Sequence, residues 1–160
     1  MSAEYTKGDF IISIDSAKLQ LAVIYEYLAK ESYWAENIPL EVVTRAIANS
    51  LNFGLYTASG EQIGFARIIT DYATFAYLAD VFVLPEYLGQ GLSKWLMECI
   101  MAYPDLQNLR RFMLMTRDAH TLYTRFGFTP LKDAANCLEI ARPGLYKPET
   151  DTVELVRDPA

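Results

Sequence analysis

Between Asp80 and Lys94 the chain reads Asp-Val-Phe-Val-Leu-Pro-Glu-Tyr-Leu-Gly-Gln-Gly-Leu-Ser-Lys. An apolar strand ends at Pro85, Gly89 and Gly91 let the backbone turn tightly, and a helix begins near Leu92. The backbone N–H groups from Gly89 to Ser93 then point outward without intrahelical partners, at the positive end of a helix dipole. Such a row of donors cradles an anion, and pyrophosphate is its natural guest. The spacing is neither the Gly-x-x-x-x-Gly-Lys-Ser/Thr of a P-loop nor Gly-x-Gly-x-x-Gly. On these two glycines alone, a plain strand-to-helix turn is an equally good reading.

Few other side chains are equipped for chemistry. His120 is the single histidine, which removes most metal sites and most serine-hydrolase arrangements. It lies three residues before Tyr123 and shares a helix face with it, although a lone helical histidine is ordinarily a surface or packing residue. Tyr123 reads as a core aromatic beside Leu122 and Phe126. Tyr33 and Trp34 either form an aromatic wall for a cation or cap a core. Cys99 and Cys137 lie in apolar stretches without metal-ligand spacing, so reduced core thiols and no metal are expected.

The elements that must position these residues follow from periodicity. Phe10, Ile12 and Ile14 alternate as a short strand, and Ser16 can cap a helix carrying Leu19, Val23, Tyr27 and Leu28. Pro39 opens a second helix with Val42, Val43, Ala46, Ile47 and Leu51 on its apolar face. Strands at 53–57, 62–70 and 74–84, joined by turns at Ser59-Gly60 and Asp71-Tyr72, predict three consecutive antiparallel neighbours. Leu92, Trp95, Leu96, Cys99 and Tyr103 form the stripe of an amphipathic crossover helix. The strand 109–116, reached by that crossover, can lie parallel to its neighbour. Asp118 starts a short helix ended by Gly127, and the apolar residues from Phe128 and again from Cys137 to Ala141 predict a terminal hairpin. The tail from Pro143 is expected to wrap the surface. The sum is an α/β domain on a mixed sheet.

The chain of 160 residues and 18.1 kDa is one ordinary domain, long enough to bury roughly 70% of its unfolded surface. A composition of 52% apolar, 13% aromatic and 21% charged excludes disorder and fibre. The net charge of −6 and pI near 4.8 argue against nucleic-acid and membrane partners, and favour a small cationic or neutral one. Residues 1–10 carry no apolar leader and no later run approaches a membrane span, so a cytoplasmic protein is expected.

The central window resembles the motif of the GCN5-related N-acetyltransferase (GNAT) family, V-x-P-x-x-R/Q-G-x-G-x-G/A. Here it reads Val83-Leu84-Pro85-Glu86-Tyr87-Leu88-Gly89-Gln90-Gly91-Leu92-Ser93. A second family block appears as Ala119, Tyr123, Gly127 and Phe128, in the right order and separated by a helix and a strand. The resemblance covers about 10–142 of a single domain spanning 1–160. It implies a mixed, mostly antiparallel twisted sheet flanked by helices and splayed at its central strands. Two positions depart from the pattern. Leu88 replaces the usual Arg or Gln, removing one contact to phosphate, and Ser93 stands where Gly or Ala is usual.

What the resemblance implies is an acetyl-CoA-dependent N-acetyltransferase, with direct attack of an amine on the thioester. The exposed backbone of Val81, Phe82 and Val83 would pair with the pantetheine, and Gly89, Gln90, Gly91, Leu92, Ser93 and Lys94 would hold the pyrophosphate. Tyr123 would protonate the departing thiolate. Asp80, at the centre of the long strand beside the cofactor edge, is the best carboxylate for a general base. Alternation groups Asp80 with Leu78 and Phe82 on an apolar face, where a raised pKa would suit that work; a structural Asp is the alternative. Arg117 and Arg125 are candidates for the adenine-side phosphate. The acceptor expected is the amine of a small molecule or amino-acid-like compound, against Tyr33 and Trp34, with a homodimer left open. The competing reading is an acyl-CoA-binding or sensory module of the same fold with little turnover.

Overall fold

In the computed structural model, residues 3–148 are described, and the charged tail beyond 148 lies outside them. Gly8 and Asp9 make a two-residue turn between β1 (Glu4–Lys7) and β2 (Phe10–Ser13), pairing Lys7 with Phe10. Hydrophobic alternation does not reveal β1, because it is polar and mostly exposed. The Gly-Asp pair is the signal that finds it, since two φ-permissive residues between strands make a hairpin. A 3-10 turn over Ser16–Lys18 follows, capped by the Asp15 carboxylate on the Ala17 N–H at 3.0 Å rather than by Ser16.

The first helix is shorter than its apolar spacing predicts: α1 (Leu21–Glu26) widens into a π-turn over Tyr27–Glu31. α2 (Leu40–Ala48) starts directly after Pro39. The expected meander follows as β3 (Leu51–Thr57), β4 (Gln62–Thr70) and β5 (Phe75–Val83). Asp71 clamps the β4–β5 turn by accepting from the N–H groups of Ala73, Thr74 and Phe75 and from the Thr74 hydroxyl. Those donors hold its carboxyl well below the usual carboxylate range. Then come α3 (Leu92–Ala102), β6 (Arg111–Leu114) and α4 (His120–Thr124).

The six strands lie in the order β1-β2-β3-β4-β5-β6, antiparallel except for the parallel β5–β6 pair. One core packs Trp95, Leu96, Met97 and Ile100 of α3 against Phe53, Leu55, Ile68 and Leu78. The other packs Ile24, Leu28 and Val43 against Phe65 and Phe82 on the opposite face. Each such side chain contributes about 1.5–3 kcal/mol of burial. The sheet is therefore a wall between two helical layers, and anything that disturbs its alternation moves residues between them.

Two such disturbances shape the molecule. In the β4–β5 pair, Arg67 faces Ala79 while Phe65 faces Phe82, so Asp80 and Val81 together oppose Ala66. This is a β-bulge, with Asp80 in the left-handed region at φ +54. It reverses the pattern: Leu78 joins the α3 core, Phe82 the α1–α2 core. The grouping of Asp80 with Leu78 and Phe82 on one face is thus incorrect, because period-2 reasoning does not survive an extra residue. The second disturbance is a splay. β6 pairs with β5 only from Phe75↔Arg111 to Leu78↔Leu114, leaving the β6-side edge of β5 from Asp80 to Val83 without a neighbouring strand among the described residues.

The predicted terminal hairpin does not form. Between Phe128 and Ala141 the chain holds no strand, only a 3-10 turn over Ala134–Asn136. The Phe128 ring packs edge-on to Phe112 and Tyr123, but its backbone does not pair with β6. Alternating apolar residues state what a segment can bury, not whether a strand edge stands beside it. Cys137 accordingly is exposed, not a core thiol, whereas Cys99 is buried and burial pushes its thiol up to about 11.

Candidate active site

Asp80 sits where the splay opens. Its Oδ2 accepts from Arg67 Nε at 2.7 Å and its Oδ1 from Trp34 Nε1 at 2.9 Å. Arg67 in turn donates from Nη1 to Ser50 Oγ at 3.2 Å. The Arg67 and Asp80 side chains are only 15% and 11% exposed. The neighbours of Asp80 are thus a guanidinium and an indole rather than an apolar face. Arg67 is the residue sequence reasoning missed. Its signal was a lone cation inside the buried strand Ile63–Ile68, since a buried charge requires a partner.

The aromatic segment is held in place locally. Ser32 Oγ donates to the Leu28 carbonyl at 2.6 Å and accepts from the Ala35 N–H at 3.1 Å, closing the π-turn. This throws Tyr33 and Trp34 outward, edge to face at 5.1 Å. Tyr27, on the same turn, stacks on Phe82 at 4.0 Å. The Tyr33 hydroxyl accepts from the Arg117 N–H at 3.1 Å, and the Arg117 guanidinium lies 3.7 Å over the Tyr33 ring. Arg117 is thereby committed to Tyr33, across the mouth of the site.

A cleft of about 430 Å³ occupies the splay, bounded by Tyr33, Trp34, Asp80, Val81, the segment after β6 and Tyr123. It brings Asp80, Val81, Tyr33, Trp34 and Tyr123 together. His120 is exposed and lines no part of it. Phe82 and Val83 bury their side chains in the two cores and line no part of the cleft, while their backbone lies on the stretch of β5 without a β6 partner. Burial, with smaller contributions from Tyr33 and Asp118, pushes the Tyr123 phenol up to about 12. It is a neutral proton donor at pH 7.

At the far end of β5 the loop leaves a run of backbone amides without partners. Gly89 and Gly91 have φ of +82 and +74, a region that favours glycine, and Gly91 caps α3 without a side-chain bond. The N–H groups of Gly89, Gln90, Gly91, Leu92, Ser93 and Lys94 make no hydrogen bond among the described residues; the first belongs to Trp95, to Gly91 O at 3.0 Å. A Cβ at Gly89 or Gly91 would meet nothing within 4 Å, so the space beside these amides is open. Leu88 at its rim is 60% exposed, and Lys94 lies 3.8 Å from Glu98. Open amides at a helix start, an unpaired strand edge and a neutral phenol suit an extended, phosphate-bearing acyl carrier.

These features define an acyltransferase-type fold, a mixed sheet splayed between β5 and β6. Residues 49–130 match the Acetyltransferase (GNAT) domain, and the chain belongs to the GNAT family. A Gibberella zeae protein named "Putative acetyltransferase FG08082" is 34% identical over 138 residues, covering 74% of this chain and 78% of that protein. A solved structure from Xanthomonas campestris pv. campestris, described as "a putative acetyltransferase belonging to the gnat family", is 52% identical with a TM-score of 0.85, covering 87% of this chain and 97% of that one. A GNAT acetyltransferase from Elizabethkingia anophelis, solved with acetyl-CoA bound, shares the fold at 16% identity and TM-score 0.58, over 86% of this chain and 92% of that one.

Proposed function

We propose that this chain is an acetyl-CoA-dependent N-acetyltransferase acting on the primary amine of a small-molecule or amino-acid-like acceptor. The observation that carries the reading is the cleft at the splay, where the open β5 edge at Asp80 and Val81 meets the Tyr123 phenol, with six free amides beyond the end of the same strand at the start of α3. The amides of Gly89 to Lys94 bind pyrophosphate oxygens, and the backbone of Val81, Phe82 and Val83 pairs with the amides of the pantetheine arm. When bound, acetyl-CoA supplies an activated thioester carbonyl, to which the amine nitrogen bonds as the carbon–sulfur bond breaks.

The protein's own groups handle the protons. Asp80 spends two of its roughly four acceptor positions on Arg67 and Trp34, leaving capacity to take the acceptor's proton directly or through water. Tyr123 gives its proton to the leaving sulfur, and N–H groups on the β5 edge stabilise charge developing on the carbonyl oxygen. A recess of about 310 Å³ on the α1–α2 side, sharing Trp34 and Asp80 with the cleft, has an apolar floor of Leu28, Val43 and Phe65. It suits a small acceptor that presents its nitrogen to Asp80. The test follows thiol release from acetyl-CoA across a panel of amines and amino acids. Turnover with at least one is expected. Saturable binding with no thiol release from any would replace this reading by an acyl-CoA-binding module.

A further inference from the structure

Two openings meet at Asp80. The cleft and the recess of about 310 Å³ are lined in common by Trp34, Tyr77, Ala79 and Asp80, whereas Arg67 lines the recess and not the cleft. The Arg67 Nε and Nη1 are spent on Asp80 and Ser50. Ser50 Oγ donates onward to the Ala46 carbonyl at 2.7 Å, which fixes the guanidinium against the end of α2. Nη2 has no partner among the described residues. The side-chain atoms there that are both buried and unpartnered are Asn52 Oδ1 and Tyr56 OH. Nη2 is therefore open to solvent, and the recess is the opening that Arg67 lines. One fixed ion pair thus offers a carboxylate with acceptor positions to spare beside a guanidinium with donors to spare. The rest of the recess is mostly apolar, floored by Leu28, Val43 and Phe65.

We propose that the acceptor is a free apolar α-amino acid, held at Asp80 and Arg67 by both of its charged groups; this assignment rests on the N-acetyltransferase reading and narrows it. The α-ammonium donates to Asp80, and the α-carboxylate accepts from the free side of Arg67. Four charges of alternating sign then sum to zero. An amine without a carboxylate leaves one net positive charge in the recess, and a charged side chain would enter the apolar floor without a partner. The volume lies at the small end of the roughly 300–1,000 Å³ of ligand pockets, which suits an acceptor the size of leucine, methionine or phenylalanine. Asp80 also borders the cleft, so a nitrogen held on it stands between the two openings. The nitrogen–carbon bond forms as the carbon–sulfur bond breaks. The ammonium loses two protons, one to Asp80 and on to water, the other through solvent to the Tyr123 phenolate left by protonating the sulfur. The products are an N-acetyl amino acid, the CoA thiol and one proton.

The test measures thiol release with leucine, methionine and phenylalanine, each against its amide and its decarboxylated amine, and with lysine and glutamate. In the wild-type protein kcat/KM for the free apolar acids should exceed that of both analogues by about 10–100-fold, the worth of a charge-assisted contact. An analogue, lysine or glutamate used as well as the free apolar acids would overturn this assignment and leave the N-acetyltransferase reading standing. Thiol release from no amine or amino acid at all would overturn both. Arg67→Lys keeps a cation beside Asp80 and loses the planar fork. In a variant that melts like wild type, KM for the free acid should rise and its advantage over the decarboxylated amine should fall toward parity. An equal loss on both substrates would make Arg67 structural and overturn the carboxylate contact. The wild-type comparison decides by itself if that variant does not fold.

Discussion

Asp80 and Tyr123 face the same cleft with opposite electrostatic histories. Asp80 is a carboxylate held by a cation and an indole, whereas Tyr123 is a phenol kept neutral by burial up to about pH 12. The Tyr123 contribution to stability is whole below about pH 10, the unfolded value, and is lost as pH rises through about 12. An alkaline fall in activity below pH 10 therefore has another source. Tyr123→Phe keeps the ring against Phe128 and should leave melting and acetyl-CoA affinity unchanged while kcat drops about 10²-fold. The loss should shrink above about pH 8.5, where a free thiol ionises unaided. A parallel fall of melting temperature and activity in this variant would instead make Tyr123 a packing residue. Arg67→Ala leaves the nearly buried Asp80 charge without its cation and with only the Trp34 indole as partner, at a cost of about 3 kcal/mol. Thermal unfolding should show Tm lower by about 6–12 °C; an unchanged Tm would mean that solvent replaces Arg67.

At the scale of elements, the β5–loop–α3 unit was the most legible part of the chain. Its glycines, its proline and the 92, 95, 96, 99 stripe each state a local geometry that needs no distant partner. The β5 bulge was not legible, because nothing in Leu78-Ala79-Asp80-Val81-Phe82 marks an extra residue; the choice is made by pairing with β4. The lost strand at Cys137–Ala141 failed for the same reason, since a strand needs a free edge that local sequence cannot announce. The cradle supplies two further tests. Gly91→Asp places a carboxylate at the anion site and should abolish acetyl-CoA binding in calorimetry. Gly91→Ala is the control: it costs about 1–2 kcal/mol of left-handed strain, more than Asp pays there, yet keeps the amides free. Loss of binding in both variants alike would assign the effect to backbone strain and not to charge. Leu88→Arg adds a cation at the exposed rim and should tighten binding about 5–150-fold, the worth of a charge-assisted contact of about 1–3 kcal/mol. No gain in a folded variant would mean another side chain already meets the phosphates.

Across the whole molecule, the class, strand order of the meander and parallel crossover could be read in advance because each rests on turn length and periodicity. The way the sheet divides space could not. β3, β4 and β5 lie between two cores, while β6 and α4 pack only against the α3-side core, through Phe112, Leu114, Leu122 and Tyr123, and pair with β5 only over Phe75–Leu78. The splay between β5 and β6 thus has two cores behind one side and one behind the other, and a ligand lying along the opening would touch both sides. Hydrogen exchange should show this as a gradient, with Phe53, Phe65, Ala66, Ile68 and Leu78 slowest and the amides of α4 far faster. Acetyl-CoA at 100 times its Kd stabilises by about 2.7 kcal/mol, which for a chain of this size raises Tm by about 5–10 °C. The added protection should fall on Val81, Val83, the Gly89–Lys94 amides and α4, because these are the groups that border the opening. Protection confined instead to the edge of β6 facing Phe128–Leu131 would place the ligand in the opening of about 540 Å³ between those two segments, and the splay would then be a feature of folding alone.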